Sequence, residues 1–182
     1  VLTEGISALD LADVKLAEAN GWRVKLLGRC LRLPQGQRTA YVAPHLVRED
    51  SPIASVEDVF NAIVVRGNAT GEVMFYGKGA GDLPTASAVV ADVIDALRHD
   101  KTPSPIGWGA GTEGVVSAKE LKQRWYVRIE ADRTAAEVLL GPLEPLTDKT
   151  GLQAFLTQPL PLERLHRAGG PLKMYSCLRV LT

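Results

Sequence analysis

The sequence predicts an α+β protein: a mixed sheet of antiparallel hairpins covered by helices on one face, followed by a small α+β C-terminal domain. Three observations predict it. Residues 22–33 and 38–47 alternate apolar and polar around a turn at Pro34 to Gln37. A glycine loop at 77–81 leads out of a second hairpin into the clearest helical repeat of the chain. Residues 101–114 are crowded with Pro103, Pro105, Gly107, Gly109, Gly111 and Gly114, so 101–120 reads as a linker or long loop between a domain at 1–100 and another at 121–182.

The elements follow in order. Asp10 can cap the free amides of a short helix, and Asp13 lies in its first turn, where the helix dipole favours negative charge. Gly21 suits its C-terminal stop. In the next strand Trp22, Val24, Leu26 and Cys30 share one face, while Arg23, Lys25 and Arg29 share the other. Glu49 to Pro52 break the pattern, and 53–60 reads as a short helical turn. The second hairpin joins Ala62–Arg66 to Glu72–Tyr76 through Gly67 and Asn68. Pro84 suits a helix start, and Ala86, Val89, Val90, Val93, Ile94 and Leu97 recur at helical spacing after it. Beyond the linker, 124–130 reads as a strand, 134–140 is ambiguous, 151–157 is a strand, 160–167 a short helix and 173–181 a final strand.

Composition narrows the function classes. The chain has 182 residues, 46% of them hydrophobic, enough for a substantial core. Lys+Arg and Asp+Glu both total 21, and no basic patch points to nucleic acid. No apolar run reaches the roughly 20 residues that span a bilayer. Cys30 and Cys177 lie far apart without a CxxC spacing, which suits a reduced, cytoplasmic protein. His45, His99 and His166 are scattered, with no metal-ligand spacing. The start at Val1 has neither a basic nor an apolar leader pattern and reads as a cut within a longer chain.

The segment from Glu72 to Asp95, EVMFYGKGAGDLPTASAVVADVID, runs from strand through glycine loop to helix start. Glycines let a backbone approach a ligand closely, and free amides at a helix N-terminus favour polar oxygens. Residues 77–85 are therefore a candidate ligand loop, against the plain alternative of a turn. The loop has neither the G-K-[ST] ending of a Walker A motif nor the G-x-G-x-x-G spacing of a Rossmann fingerprint.

This segment closely resembles the stretch of homoserine dehydrogenases in which the chain returns to the cofactor. Thr3 to Ile6 with Asp13 and Val24 to Leu27, Ala43 to Leu46 with Ser51 to Val56, and Phe60 to Ile63 with Gly67 and Gly71 fit the same family in the right order. The likeness covers about residues 3–98. It implies a parent enzyme that reversibly oxidises L-homoserine to L-aspartate 4-semialdehyde with NAD(P), in threonine and methionine biosynthesis. It implies a homodimer built through this domain. It places Gly79, Ala80 and Gly81 near the nicotinamide end of the cofactor, with Gly79 the principal contact, and a monovalent cation near the same junction. The family's acid/base lysine and homoserine-binding carboxylates lie in a D-x-x-G-x-D-A-x-x-K type segment, expected upstream of Val1 together with the Rossmann domain. No catalytic residue and no metal ligand is therefore assigned within the chain, and the isolated chain is expected to be inactive, because hydride transfer needs a bound nicotinamide and a positioned proton acceptor.

Asp13, Lys25 and His45 are chargeable residues near family motifs, and each has a plainer reading: a first-turn charge, a residue on the polar side of a strand, and a packed histidine. Glu4 is open between a structural place and the active-site cleft. Many bacterial members of the family add an ACT domain, of order βαββαβ, that often senses threonine. Residues 124–132 resemble its first strand, and 154–157 with 174–180 resemble parts of its second half. Gly141, Pro142 and Pro145 interrupt the middle, so the tail reads as a shortened ACT-like domain in which threonine binding is open. The alternative to an enzyme fragment is a non-catalytic ACT-type module that binds an amino acid.

Overall fold

The computed structural model describes residues 1–7, 9–99 and 114–182. The chain forms two compact units, Val1–Ala54 with Thr112–Thr182, and Ser55–Gly111.

The first unit is a seven-stranded mixed sheet. Its N-terminal part comprises β1 (Leu2–Thr3), α1 (Leu11–Ala19), β2 (Trp22–Arg32) and β3 (Arg38–Arg48). Asp10 caps α1 by accepting from the Ala12 amide at 2.9 Å. β2 and β3 pair antiparallel along their full length, from Trp22 opposite Arg48 to Arg32 opposite Arg38. The expected apolar face of β2 holds only at its start. Trp22 is buried, whereas Leu26 and Cys30 are exposed and Leu27, Arg29 and Leu31 are half-buried. Trp22 and Val24 pack in the α1 core, while Leu31 packs beside Tyr41 in a separate cluster.

The C-terminal part runs β6 (Trp125–Ile129), α3 (Arg133–Leu140), β7 (Leu143–Thr147), β8 (Gln153–Thr157), α4 (Leu162–Leu172) and β9 (Met174–Val180), in the order βαββαβ. The strand ladder reads β1-β3-β9-β6-β8-β7, with β2 on the far side of β3. β7 and α3 are the elements the sequence left unread. Asp132 caps α3 by accepting from the Ala135 amide at 2.8 Å, and Gly141 ends the helix at a φ of 83°. Pro145 is tolerated because β7 is the last strand of the ladder, where an N–H on the outer edge has no partner to lose.

β6 alternates between two cores. Trp125, Val127 and Ile129 face α3 and α4, with Leu140, Phe155 and Leu165. Tyr126 faces the other way, with Leu156, Leu178, Leu46 and Leu16 of α1. The sheet thus carries α3 and α4 on one face, and α1 adds cover on the other. Each fully buried leucine of this kind contributes about 1.5–3 kcal/mol.

The seam between the two parts is polar. β3 pairs with β1 at Tyr41 and Val42, and with β9 at His45 and Leu46. Pro44, which has no N–H to donate, stands where one partner strand gives way to the other. Arg179 of β9 is fully buried there. Its guanidinium lies 4.5 Å from the Tyr41 ring centre and 4.6 Å from that of Trp125, and its Nε donates to Glu4 at 2.9 Å. The sequence boundary at 101–120 therefore does not separate the two parts: 101–113 lies outside the described residues, and the strands on either side of it share one sheet.

The second unit contains β4 (Phe60–Gly67), β5 (Gly71–Lys78) and α2 (Asp82–Arg98). β4 and β5 form an antiparallel hairpin from Phe60 opposite Lys78 to Gly67 opposite Gly71.

Two predictions follow from the first unit. Asp13 is fully buried and accepts from Tyr126 Oη at 2.6 Å and Arg128 Nε at 2.7 Å. Asp13→Ala leaves the Arg128 charge without its buried partner and should cost about 3–5 kcal/mol in urea unfolding; a loss under about 1 kcal/mol would mean that the pair is not structural. His45 is fully buried, its Nδ1 is 2.8 Å from the Ala43 carbonyl, and burial, with Arg29 and Arg179 nearby, holds its pKa down at about 4. The unfolded chain takes up this proton below pH 6.5 while the folded chain refuses it until about pH 4. Stability should therefore be level above pH 6.5 and fall by roughly 3 kcal/mol towards pH 4 from this group. His45→Gln should flatten that limb in paired urea titrations, and identical slopes would remove the assignment.

Candidate functional site

The site is built at the end of the β4–β5 hairpin. Phe60 and Tyr76 stack almost parallel, with ring centres 4.9 Å apart and planes 5° from coplanar. The Lys78 ammonium lies 5.9 Å from the Phe60 ring centre, within cation–π range. The strand ends at Lys78, and the amides of Gly79 and Ala80 both donate to the Val59 carbonyl, at 3.1 and 3.4 Å. The chain then turns at Gly81, whose φ of 110° is a conformation open to glycine alone at little cost. Thr85 closes the first turn of α2, its amide and hydroxyl donating to the Gly81 carbonyl at 3.1 and 2.8 Å.

Gly77 to Leu83 are all exposed. A β-carbon built on Gly77 would meet nothing within 4 Å. At Gly79 it would lie 2.6 Å from Asn61 Cγ, a distance real side chains do not adopt. Asn61 stood in the sequence only as part of the Phe60–Ile63 motif, and nothing in the spacing linked it to Gly79. α2 starts at Asp82, two residues ahead of the expected Pro84, because Gly81 rather than Pro84 serves as the cap. The helix carries its apolar stripe in solvent: Val89, Val93 and Leu97 are 58%, 54% and 75% exposed.

The chargeable residues weighed in the sequence lie in the first unit, and none is a free acid or base. Glu4 is engaged by Arg179. Asp13 holds Tyr126 and Arg128, so it is a buried tertiary anchor rather than a simple first-turn charge. Burial and the Asp13 carboxylate push the Tyr126 hydroxyl pKa far above its ordinary value. His45 is packed between the Ala43 carbonyl and the Tyr41 hydroxyl, 3.3 Å from its Nε2. Lys25 stands opposite His45 on β2, half-buried. A cavity of about 410 Å³ in this unit is lined by Glu4, Pro44, His166, Tyr175 and Cys177, among others. Burial raises the Cys177 thiol pKa to about 11, so it is no ready nucleophile. Among the described residues no group of three or more His, Cys, Asp or Glu could hold a metal ion, and no helix is long and apolar enough to cross a membrane.

Comparison with known proteins bears on this arrangement. The family profile that matches is that of homoserine dehydrogenase, over residues 1–94. Homoserine dehydrogenase of Neisseria gonorrhoeae is 50% identical over 95 residues, which are 52% of this chain and 22% of that protein. The Helicobacter pylori homoserine dehydrogenase is 38% identical over 130 residues, 71% of this chain and 30% of that protein. The crystal structure of a homoserine dehydrogenase from Thiobacillus denitrificans superposes with a TM-score of 0.79 at 27% identity, over 98% of this chain and 47% of that one. The Staphylococcus aureus enzyme at pH 6.0 gives 0.70 at 29% identity, again over 98% of this chain and 47% of that one. The chain thus spans 22–30% of these curated relatives and about half of the solved ones. With the profile matched across more than half its residues and the fold shared nearly end to end, the chain belongs to the homoserine dehydrogenase family.

Proposed function

We propose that this chain is the C-terminal part of a cytoplasmic homoserine dehydrogenase, which reversibly oxidises L-homoserine to L-aspartate 4-semialdehyde with NAD(P) and serves threonine and methionine biosynthesis. The observation that carries the reading is the exposed loop at Gly79, Ala80 and Gly81, inside the segment that matches the family. The residues fit a nicotinamide nucleotide. Gly77 and Gly81 keep side chains away from the exposed backbone, and Gly81 gives the chain a turn that only glycine makes at little cost. Gly79, Ala80 and Gly81 would hold the nicotinamide end of the cofactor, which when bound supplies the hydride acceptor.

The work of the chain's own residues is to bind and position. The loop is tied to Val59 through the Gly79 and Ala80 amides, which leaves its remaining backbone polar groups to meet a ring supplied from elsewhere in the enzyme. Proton transfer falls to upstream residues, since Glu4, Asp13 and His45 are all engaged in the fold. A monovalent cation near the loop would take most of its ligands upstream as well. The apolar stripe of α2 and the outward Ile63 and Phe75 of the hairpin, 65% and 62% exposed, need cover that upstream sequence and a second subunit would provide. Homodimerisation through this region follows from that need and from the family likeness.

The C-terminal βαββαβ is read as ACT-like and as a packing element. Its α3 has eight residues, two turns, and its β9 is tied into the N-terminal strands rather than left to a regulatory partner. An amino-acid-binding module without chemistry would leave the family match at residues 1–94 without a purpose.

Two outcomes test this. The chain alone should give no homoserine-dependent reduction of NAD or NADP, while the same chain preceded by the upstream half of a family member should; turnover by the isolated chain would overturn the division of labour. Calorimetric titration of the chain with threonine should give a flat trace, and saturable heat would restore the sensing role.

A further inference from the structure

We propose that Asn61 is a positioning residue for the glycine loop, fixing the backbone at Gly79 in the form in which it meets the nicotinamide nucleotide. The inference rests on the reading of that loop given above and adds a residue to it.

Asn61 lies in β4 directly opposite Gly77, and its side chain leans diagonally over Gly79. A β-carbon on Gly79 would stand 3.2 Å from Asn61 Cβ and 2.6 Å from its Cγ, with Nδ2 closer still. The carboxamide therefore fills the volume beside the Gly79 α-carbon. On the backbone side, the Gly79 and Ala80 amides both reach the Val59 carbonyl. The start of the loop is thus gripped twice by one short stretch of β4 and the residue before it, by hydrogen bonds from residue 59 and by side-chain packing from residue 61.

The three loop glycines separate on this point. Gly77 has open space around it. Gly81 meets only Pro84, at 3.6 Å, and is glycine because of its positive φ. At Gly79 the side-chain place is taken by the outer end of the exposed Asn61 side chain. Asn61 also has little reason of its own to stand in a strand. Asparagine is depleted in strands, and this one is exposed, with its backbone in the β4–β5 ladder and no side-chain hydrogen bond to the described residues. Its structural effect is the shape of the loop, and a loop held in its binding form before the ligand arrives binds with less ordering loss.

The test uses the full-length enzyme carrying this segment. Asn61→Ala should raise KM for the nicotinamide nucleotide about fivefold while KM for homoserine stays put, the split expected when a binding loop loses preorganisation. Gly79→Ala should raise it about tenfold or more, because the new methyl displaces Asn61. The pair Asn61→Gly with Gly79→Ala should recover most of the Gly79→Ala loss, since the clash is gone. Fluorescence titration of each variant with the reduced nucleotide reads the same order without turnover. A silent Asn61→Ala, or a double variant in which the two losses add, would overturn the role of Asn61 while leaving the loop reading intact. If Gly79→Ala and Gly81→Ala are both silent towards the nucleotide, the loop reading itself fails, and the proposal with it.

Discussion

The first unit depends on the burial of one arginine. Arg179, the residue before the last of β9, is placed by its backbone between His45 of β3 and Trp125 of β6. A guanidinium removed from water is costly unless it is paired, and here the Glu4 carboxylate and two aromatic faces offset the cost. Its Nη1 has no hydrogen-bond partner among the described residues, so the balance is narrow. The four residues of this clamp come from the two ends of the sequence and from two strands between them. Once Arg179 is seated, the last strand cannot leave without exposing Tyr41, Trp125 and the Glu4 charge together. Pro44 fits the same logic, because the strand edge that receives β1 and then β9 has its missing donor at the changeover.

Local chemistry was legible in the sequence; long-range pairing was not. The β2–β3 hairpin, the Asp10 cap and the α2 repeat each follow from neighbours within one element, and each stands where periodicity put it. α3 and β7 were unreadable because Pro142 and Pro145 argue against regular structure until the outer position of β7 is known. The same blindness drew a domain boundary through the proline- and glycine-rich stretch, since nothing near Met174 to Val180 announces that this strand will lie beside His45 and Leu46. Asp13 looked like a helix-dipole charge for the same reason: Tyr126 and Arg128, which claim it, are over a hundred residues away.

Of the candidate site, the glycine loop was legible and its support was not. Glycines between a strand and a helix announce freedom of backbone, but freedom is required for different reasons at different positions. Gly81 needs it for its own torsion angle, whereas at Gly79 the side-chain place is taken by a neighbour across the hairpin. Only register, which sets Asn61 opposite Gly77, connects the second reason to a residue. A motif read as a string of glycines therefore conceals a cross-strand contact.

The two units differ in how completely they satisfy themselves. In the first, apolar side chains reach two cores, and the chargeable residues near the family motifs are engaged in holding strands and α1 in place. In the second, α2 buries none of its residues, and the hairpin turns Ile63 and Phe75 outward. Helical spacing in the sequence showed that α2 has an apolar face; it could not show that this chain would leave the face uncovered. An apolar stripe that stays in solvent is unfavourable by the same transfer free energy that builds the first unit. Such a surface persists under selection where another surface covers it. The open unit is also the one that carries the glycine loop, so the element that needs outside cover and the loop proposed to meet the cofactor are joined at Gly81. In the proposed enzyme, the geometry of the loop is then set partly by the hairpin that grips it and partly by whatever seats α2, and a change on the apolar stripe of that helix would be felt at the loop without touching it.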